Sequence, residues 1–373
     1  MPAVPDPETL TNALRANPRF ADLRNGELQP MAVKGLAHEH FRVGERGWVL
    51  RVPKQSQFAL SAHDNLAYQA ACFERVSASG HAPELGAVLP PDSALPMGAL
   101  VVQEIVGRPP RLPDDLLALA SAMARVHGLP VPDPAERPPL ASHGDAVAGA
   151  LAEIETQAAY LAVADLDPAA KAEIEAELAW ARDFAARVAG ADQPVRLVLT
   201  DTHPGNFLID ADGRAVIVDL EKALYGSPGT DLAHATLYSS TTWDPDTHAD
   251  LSVRQLGAYY RQYLEIVGPE LAARIRPWLV AMRRITFLRA ITWCVMWSVE
   301  HRRAARAQAG ESARDWSAEN TDPAVIAHVA GRVALYLRPQ TLQRMRAEWL
   351  GEPGLDAYLG DGTHRLSIPR ERR

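Results

Sequence analysis

At 373 residues the chain has room for two domains or one large bilobal unit. Its 47% hydrophobic and 23% charged content excludes wholesale disorder and a fibrous repeat. Acids outnumber bases 46 to 38, a net charge of −8, which argues against a general nucleic-acid binder. Almost all the basic residues are arginine, and lysine occurs only at Lys34, Lys54, Lys171 and Lys222. Two cysteines, Cys72 and Cys294, cannot form a disulfide framework and fit a reducing compartment. The opening MPAVPDPETL has neither a basic nor an apolar leader region, so no secretory signal is expected. The most apolar stretch, residues 290–299, is about half the ~20 residues a membrane span requires. The expectation is a cytoplasmic protein with no membrane and no nucleic-acid partner; composition leaves the oligomeric state open.

Residues 1–30 read as a short helical lead-in. From 31 to 53, MAVKG, HFRV and WVLRVP read as three strands, separated by glycines 35, 44 and 47. Residues 65–76 read as a helix, and ALVVQEIV at 99–106 as a further strand. Residues 31–106 therefore form a small sheet carrying one helix. Pro109, Pro110 and Pro113 precede a helix at 114–127, and five more prolines follow between 130 and 139. Prolines at that density break regular elements, which places a lobe boundary near residue 107. Residues 141–190 are alanine-rich with helical spacing. Asp167-Pro168, a cap with proline at the first helical position, divides them into two helices. Residues 195–219 break the helical trend. After Asp231 the chain reads as mostly helical to the end of a second lobe at 350, and 351–373 is a polar tail.

The segment NFLIDADGRAVIVD is a hairpin by its own chemistry, with β-rich arms around Asp212-Gly213. With that pair as the turn, Asn206 faces Asp219 across the hairpin mouth. A carboxylate and a carboxamide oxygen so placed can share a hard cation such as magnesium, with phosphate and water completing its shell. Asp201 ends the apolar run Leu197-Val198-Leu199 and reaches Asn206 through Thr202-His203-Pro204-Gly205. A carboxylate beside two metal-holding groups is what phosphoryl transfer from a magnesium nucleotide needs. A surface hairpin with solvated aspartates fits the same residues.

At these positions the sequence resembles the aminoglycoside phosphotransferase and choline kinase group of small-molecule kinases. The resemblance is carried by Asp201-x-x-x-x-Asn206 with His203-Pro204-Gly205-Asn206 written out, by Ile217-Val218-Asp219, and by Asp231-Leu232-Ala233. Upstream, residues 35–43 (GLAHEHFRV) resemble the family's nucleotide loop. Trp48-Val49-Leu50-Arg51 resembles its phosphate-holding strand, Val102-Gln103-Glu104-Ile105 its hinge, and residues 122–127 its helix ending in histidine. Together these cover about residues 30 to 235 in the family's order.

The resemblance implies an α+β, bilobal, protein-kinase-like fold with a small mixed-sheet N-lobe and a large, mainly helical C-lobe. It implies a kinase moving the γ-phosphate of Mg-ATP, or of GTP, to a hydroxyl of an aminoglycoside, an amino alcohol or a related metabolite. Asp201 would then be the catalytic base, and Asn206 and Asp219 would hold Mg2+. Gly35 would lie in the nucleotide loop, Arg51 would pair with phosphates, and Gln69 would stand where a helix glutamate supports that cation. The backbone at Gln103, Glu104 and Ile105 would read adenine, and Asp231 would fix the catalytic loop. The chain departs from the pattern in three places: Leu199-Thr200 replaces His-Gly before the base, Gln69 is neutral, and Lys222 follows Asp219-Leu220-Glu221. Leu199-Thr200 and Gln69 motivate the rival reading, a nucleotide-binding pseudokinase with a regulatory role.

Other features admit two readings. His38-x-His40 either binds a transition metal or flanks the nucleotide loop. Trp293, Trp297 and Glu300 share a helical face that suits a cationic amine or ordinary core packing. Arg283, Arg284 and Arg289 read as a solvated basic face or an anion site. The loop from Tyr238 to Asp246 either borders an acceptor site or is a capped helix junction. No serine or cysteine sits in a nucleophile elbow, which argues against a hydrolase.

Overall fold

The computed structural model describes residues 4–31, 37–306 and 323–360. Helix α1 (Pro7–Arg15) begins where Asp6 accepts from the amides of Glu8 and Thr9, and Pro7 takes the first turn, where no N–H is needed. The lead-in is not helical throughout, because β1 (Leu28–Pro30) pairs with β2 (His38–Val43). Met31 extends that pairing by donating to the carbonyl of His40. The rest of the strand expected at 31–35, Gly35 included, lies outside the described residues.

Strands β3 (Trp48–Pro53), β4 (Leu85–Leu89) and β5 (Ala99–Gln103) complete one sheet in the order β1-β2-β3-β5-β4. Every pairing is antiparallel, which refines the mixed sheet expected. Strand β4 carries little hydrophobic alternation because it is an edge strand whose register shifts between Leu85 and Ala87. The strand expected to reach 106 ends at Gln103, after which Glu104 donates to the carbonyl of Gly47.

Alternation along β3 decides what faces the cleft. Leu50 and Val52 pack with Leu10, Leu14 and Phe20 on the α1 side. Val49 joins the core beneath α2 (Ala62–Ser77), and the Arg51 guanidinium lies 5.2 Å from the centroid of the Phe73 ring of that helix.

Helices α3 (Leu116–His127), α4 (Ala146–Ala158) and α5 (Pro168–Val188) open the larger lobe, and Asp167 caps α5 as its Asp-Pro pair predicts. Two short antiparallel pairs follow: β6 (Arg196–Val198) pairs with β9 (Leu224–Gly226), and β7 (Phe207–Ile209) with β8 (Ala215–Ile217). Then come α6 (Pro228–His234), α7 (Tyr238–Thr241), α8 (Val253–Ile266), α9 (Pro269–Ile275), α10 (Leu279–Arg306), α11 (Pro323–Tyr336) and α12 (Pro339–Leu350). Helix α10 packs against α4, α5 and α6 at the centre of the lobe.

The basic stretch on α10 is not a solvated face. Arg283 is completely buried; its Nε donates to Glu348 at 2.6 Å and its NH1 to the Thr236 hydroxyl at 2.8 Å. A buried guanidinium persists only when paired in this way, and Glu348 on α12 supplies the pairing. Arg284 reaches Glu177 on α5. Both cysteines are buried and free. Among the described residues no helix is long and apolar enough to cross a membrane.

Candidate active site

The β7–β8 hairpin differs from its expected register by one residue. Asp210 donates to the carbonyl of Arg214, closing a loop of Ala211, Asp212 and Gly213 in which Gly213 takes φ 77°. The Asp210 carboxylate accepts from the amides of Asp212 and Arg214, favouring this three-residue turn over the two-residue one. Phe207 pairs with Ile217, and Val218 donates to the carbonyl of Asn206. Asn206 therefore opposes Val218, and Asp219 lies one residue beyond, still at the mouth of the hairpin.

The loop carrying Asp201 hangs from Asp231 on α6. Asp231 is fully buried and accepts from the amides of Leu199 and Thr200, each at 2.7 Å. His127, at the end of α3, contacts the same carboxylate at 3.1 Å and meets the Tyr263 hydroxyl at 3.0 Å through its other nitrogen. The Thr202 hydroxyl donates to the Asp231 carbonyl, and the Thr202 amide to His234 Nδ1. Thr200 sits at φ 63°, where a β-branched residue is strained, and its two anchored neighbours hold it there.

Asp201 projects from this loop with its side chain about a quarter exposed. Lys222 Nζ lies 2.6 Å from its Oδ2, and Asn206 Nδ2 donates to its backbone carbonyl at 2.8 Å. Burial alone would raise the pKa of Asp201, but Lys222, His203 and His234 outweigh it and hold the group ionised well below the usual carboxylate range. At Asp219 burial acts in the same direction, and the Arg51 and His38 charges again override it. Among the described residues no three His, Cys, Asp or Glu gather to hold a metal unaided. The oxygen donors here are instead one amide and one carboxylate. The Asn206 amide nitrogen is committed to Asp201, which leaves its oxygen as the donor available to a hard cation.

Arg51 is nearly buried and belongs to a network absent from the sequence-level expectations. It donates to the Val218 carbonyl at 3.0 Å, to Asp219 at 2.8 Å and to Glu221 at 3.1 Å. Gln69 does not support it; that amide meets His38 Nε2 at 3.1 Å, and His38 Nδ1 meets Glu221 at 2.8 Å. Glu221, also bonded by Gln57, takes the place expected for Gln69 because a buried guanidinium prefers a carboxylate to a neutral amide. The turn at Glu221 and Lys222, closed by the Ala223 amide on the Leu220 carbonyl, brings Asp219 and Glu221 to one cation, and nothing in the local sequence pattern marked it. His40, opposite Arg51 in the β2–β3 register, is held neutral by burial and by the Arg51 charge, its pKa pushed down to about 3.

At the hinge, the Gln103 amide donates to the Glu84 carbonyl and the Glu104 amide to Gly47. The Gln103 N–H is therefore not free for a base, whereas the Ile105 N–H has no backbone partner among the described residues. The Glu104 side chain is paired with Arg42. Gly35 lies outside the described residues. Of the aromatic face on α10, Trp297 is buried and stacks on His301, and Glu300 is buried against Arg303. Both belong to the core. Trp293 packs edge-on against Trp243 at 6.1 Å, beside Asp244, which caps the turn that follows it.

The profile of the phosphotransferase enzyme family (APH) matches residues 32–277. No curated protein sequence matches the chain. Among solved structures, a choline/ethanolamine kinase family protein from Mesorhizobium loti is 20% identical with a TM-score of 0.55, over 92% of this chain and 99% of that one. Choline kinase from Cryptosporidium parvum is 14% identical with a TM-score of 0.56, over 95% and 99%. A macrolide 2'-phosphotransferase from Brachybacterium faecium is 16% identical with a TM-score of 0.52, over 86% and 97%. At these identities the likeness shows the fold: a five-stranded antiparallel sheet joined to a helical lobe. With the profile spanning most of its length and the site residues lying inside that span, the chain belongs to the phosphotransferase enzyme family.

Proposed function

We propose that this phosphotransferase moves the γ-phosphate of ATP to a hydroxyl group of a small molecule, with Asp201 as the base. The observation that carries the reading is the placement of Asp201 on a loop anchored by Asp231, next to Asn206 and close to the mouth that holds Asp219. The acceptor oxygen forms a bond to phosphorus, the bond from phosphorus to the bridging oxygen of the leaving diphosphate breaks, and the acceptor proton passes to Asp201. Asn206 and Asp219 would hold magnesium, which when bound neutralises charge on the nucleotide phosphates. Arg51, whose guanidinium meets Asp219 at 2.8 Å, would contact the nucleotide phosphates from the side of the hairpin mouth. The hinge from Gln103 to Ile105 would read the base through Ile105 first, and GTP is the alternative donor. In this reading residues 31–106 form the nucleotide lobe and 107–350 the catalytic and acceptor lobe, in a cytoplasmic enzyme. An aminoglycoside, an amino alcohol and a related hydroxylated metabolite are the acceptor classes.

The test is a nucleotide-consumption screen over those acceptors, with ATP and GTP in parallel, on the wild type and two variants. Asp201→Asn is expected to keep Mg-ATP affinity and lower kcat by about 10²–10⁴. Asp219→Ala is expected to weaken Mg-ATP much more than metal-free ATP. Equal losses with and without metal remove Asp219 from the metal site. ATP binding without turnover of any acceptor favours the pseudokinase reading, which neither the profile nor the solved structures support.

A further inference from the structure

Asp201 has two oxygens in different surroundings. Lys222 Nζ holds Oδ2 at 2.6 Å, whereas His203 Nε2 stands 4.0 Å from Oδ1, beyond hydrogen-bond reach. In the loop before Asp201, Leu199 is completely buried in the apolar core and the Thr200 hydroxyl is turned to the Lys222 carbonyl. Lys222 arrives from the opposite side, on the segment that follows Asp219.

That segment is fixed by bonds at four of its five residues from 219 to 223. Asp219 is held by Arg51, Glu221 by Arg51 and His38, the Lys222 carbonyl by the Thr200 hydroxyl at 3.1 Å, and the Ala223 carbonyl by the Tyr68 hydroxyl at 2.7 Å, with Leu220 buried between them. Thr200 can reach the Lys222 carbonyl because it takes the left-handed conformation, which an L side chain rarely adopts. Two positions where the chain departs from its family pattern, Thr200 and Lys222, thus bond to each other and meet at Asp201.

We propose that Lys222 is a positioning residue for Asp201: it fixes Oδ2, Thr200 fixes the Lys222 backbone, and Oδ1 is left directed at the acceptor's hydroxyl. The inference rests on Asp201 being the base. Orientation matters more than basicity in this chemistry, because the transition state is loose and the proton needs a correctly aimed oxygen more than a strong base. A lysine beside the base is therefore compatible with turnover. An inhibitory latch, in which Lys222 only masks Asp201, predicts the opposite response to its removal.

The experiment follows hydrolysis of radiolabelled Mg-ATP, with water as the acceptor, in the full chain and in K222M, K222Q, K222R and D201N. Mg-ATP affinity is measured by calorimetry and folding by melting temperature. K222M and K222Q are expected to lose about 10²-fold in kcat with Mg-ATP affinity and melting temperature held, and K222R to recover part of the loss. A merely structural role would move the melting temperature and would not separate kcat from affinity. K222M and K222Q that hydrolyse at or above the wild-type rate while D201N is inactive overturn the positioning role and leave the base in place. D201N that hydrolyses like wild type, or a wild type that binds Mg-ATP without hydrolysing it, overturns the reading of Asp201 beneath it.

Discussion

Asp231 and Asp201 are both carboxylates serving the same loop, but their surroundings differ. Asp231 is completely buried, and its partners are two backbone amides and a histidine that is itself fixed by Tyr263. None of them can leave without moving the backbone. Asp201 is partly exposed, and its side-chain partner is a lysine on a flexible stem. The first arrangement stores geometry; the second holds one carboxylate oxygen and leaves the other open to a substrate. Phosphoryl transfer needs both, because it relies on positioning and on groups that answer charge as it shifts.

The largest expected effect tests the rigid half of that contrast. Asp231→Ala orphans two buried amides and a buried imidazole nitrogen, and should cost about 3–5 kcal/mol in urea unfolding, with activity lost at the same time. A loss below about 1 kcal/mol would show that the loop is held by something else.

The open half is sharpened by comparing two cations on the sheet side of the site. Arg51 faces the cleft within bonding distance of Asp219 and Glu221, whereas Lys54 pairs with Glu39 at 3.4 Å near the strand's end. Arg51→Ala should raise the KM for ATP by about tenfold to a hundredfold, the range for a charge-assisted contact, and Lys54→Ala should leave it unchanged. The reverse pattern would reassign the phosphate contact.

The smallest effect is a pH dependence. His234 accepts from the Thr202 amide through Nδ1, so that nitrogen must be unprotonated, and burial pushes the group's pKa down to about 4 from 6.5. Because the folded value lies below the unfolded one, the unfolded chain binds the proton first on acidification. Stability is fully present above pH 6.5 and falls as pH drops from there towards 4; His40, pushed down to about 3, adds in the same direction. Melting curves across that window should show the decline, and His234→Asn should flatten it. A wild-type melting temperature that does not change from pH 7 to 5 would contradict the buried, neutral assignment.

Much of this was legible in the sequence, because it depends on local chemistry. Asp167-Pro168 starts a helix, Trp48 to Pro53 is a β-rich run entered from a glycine turn, and the order of Asp201, Asn206, Asp219 and Asp231 identifies the family. What required the tertiary structure depended on competition between distant groups. Glu221 displaced Gln69 as the Arg51 partner because a buried cation selects charge over a neutral amide, and periodicity carries no information about which side chains meet across 170 residues. The hairpin register shifted by one because the Asp210 side chain reorganised its own turn. Arg283 went inside because Glu348, on another helix, was there to meet it. Lys222 reached Asp201 because two loops, separate in the chain, close on each other through the Thr200 hydroxyl. Sequence determines which elements form, since propensity and periodicity act within a few residues. Burial, which removes water as the competing partner, determines which polar groups must find one another.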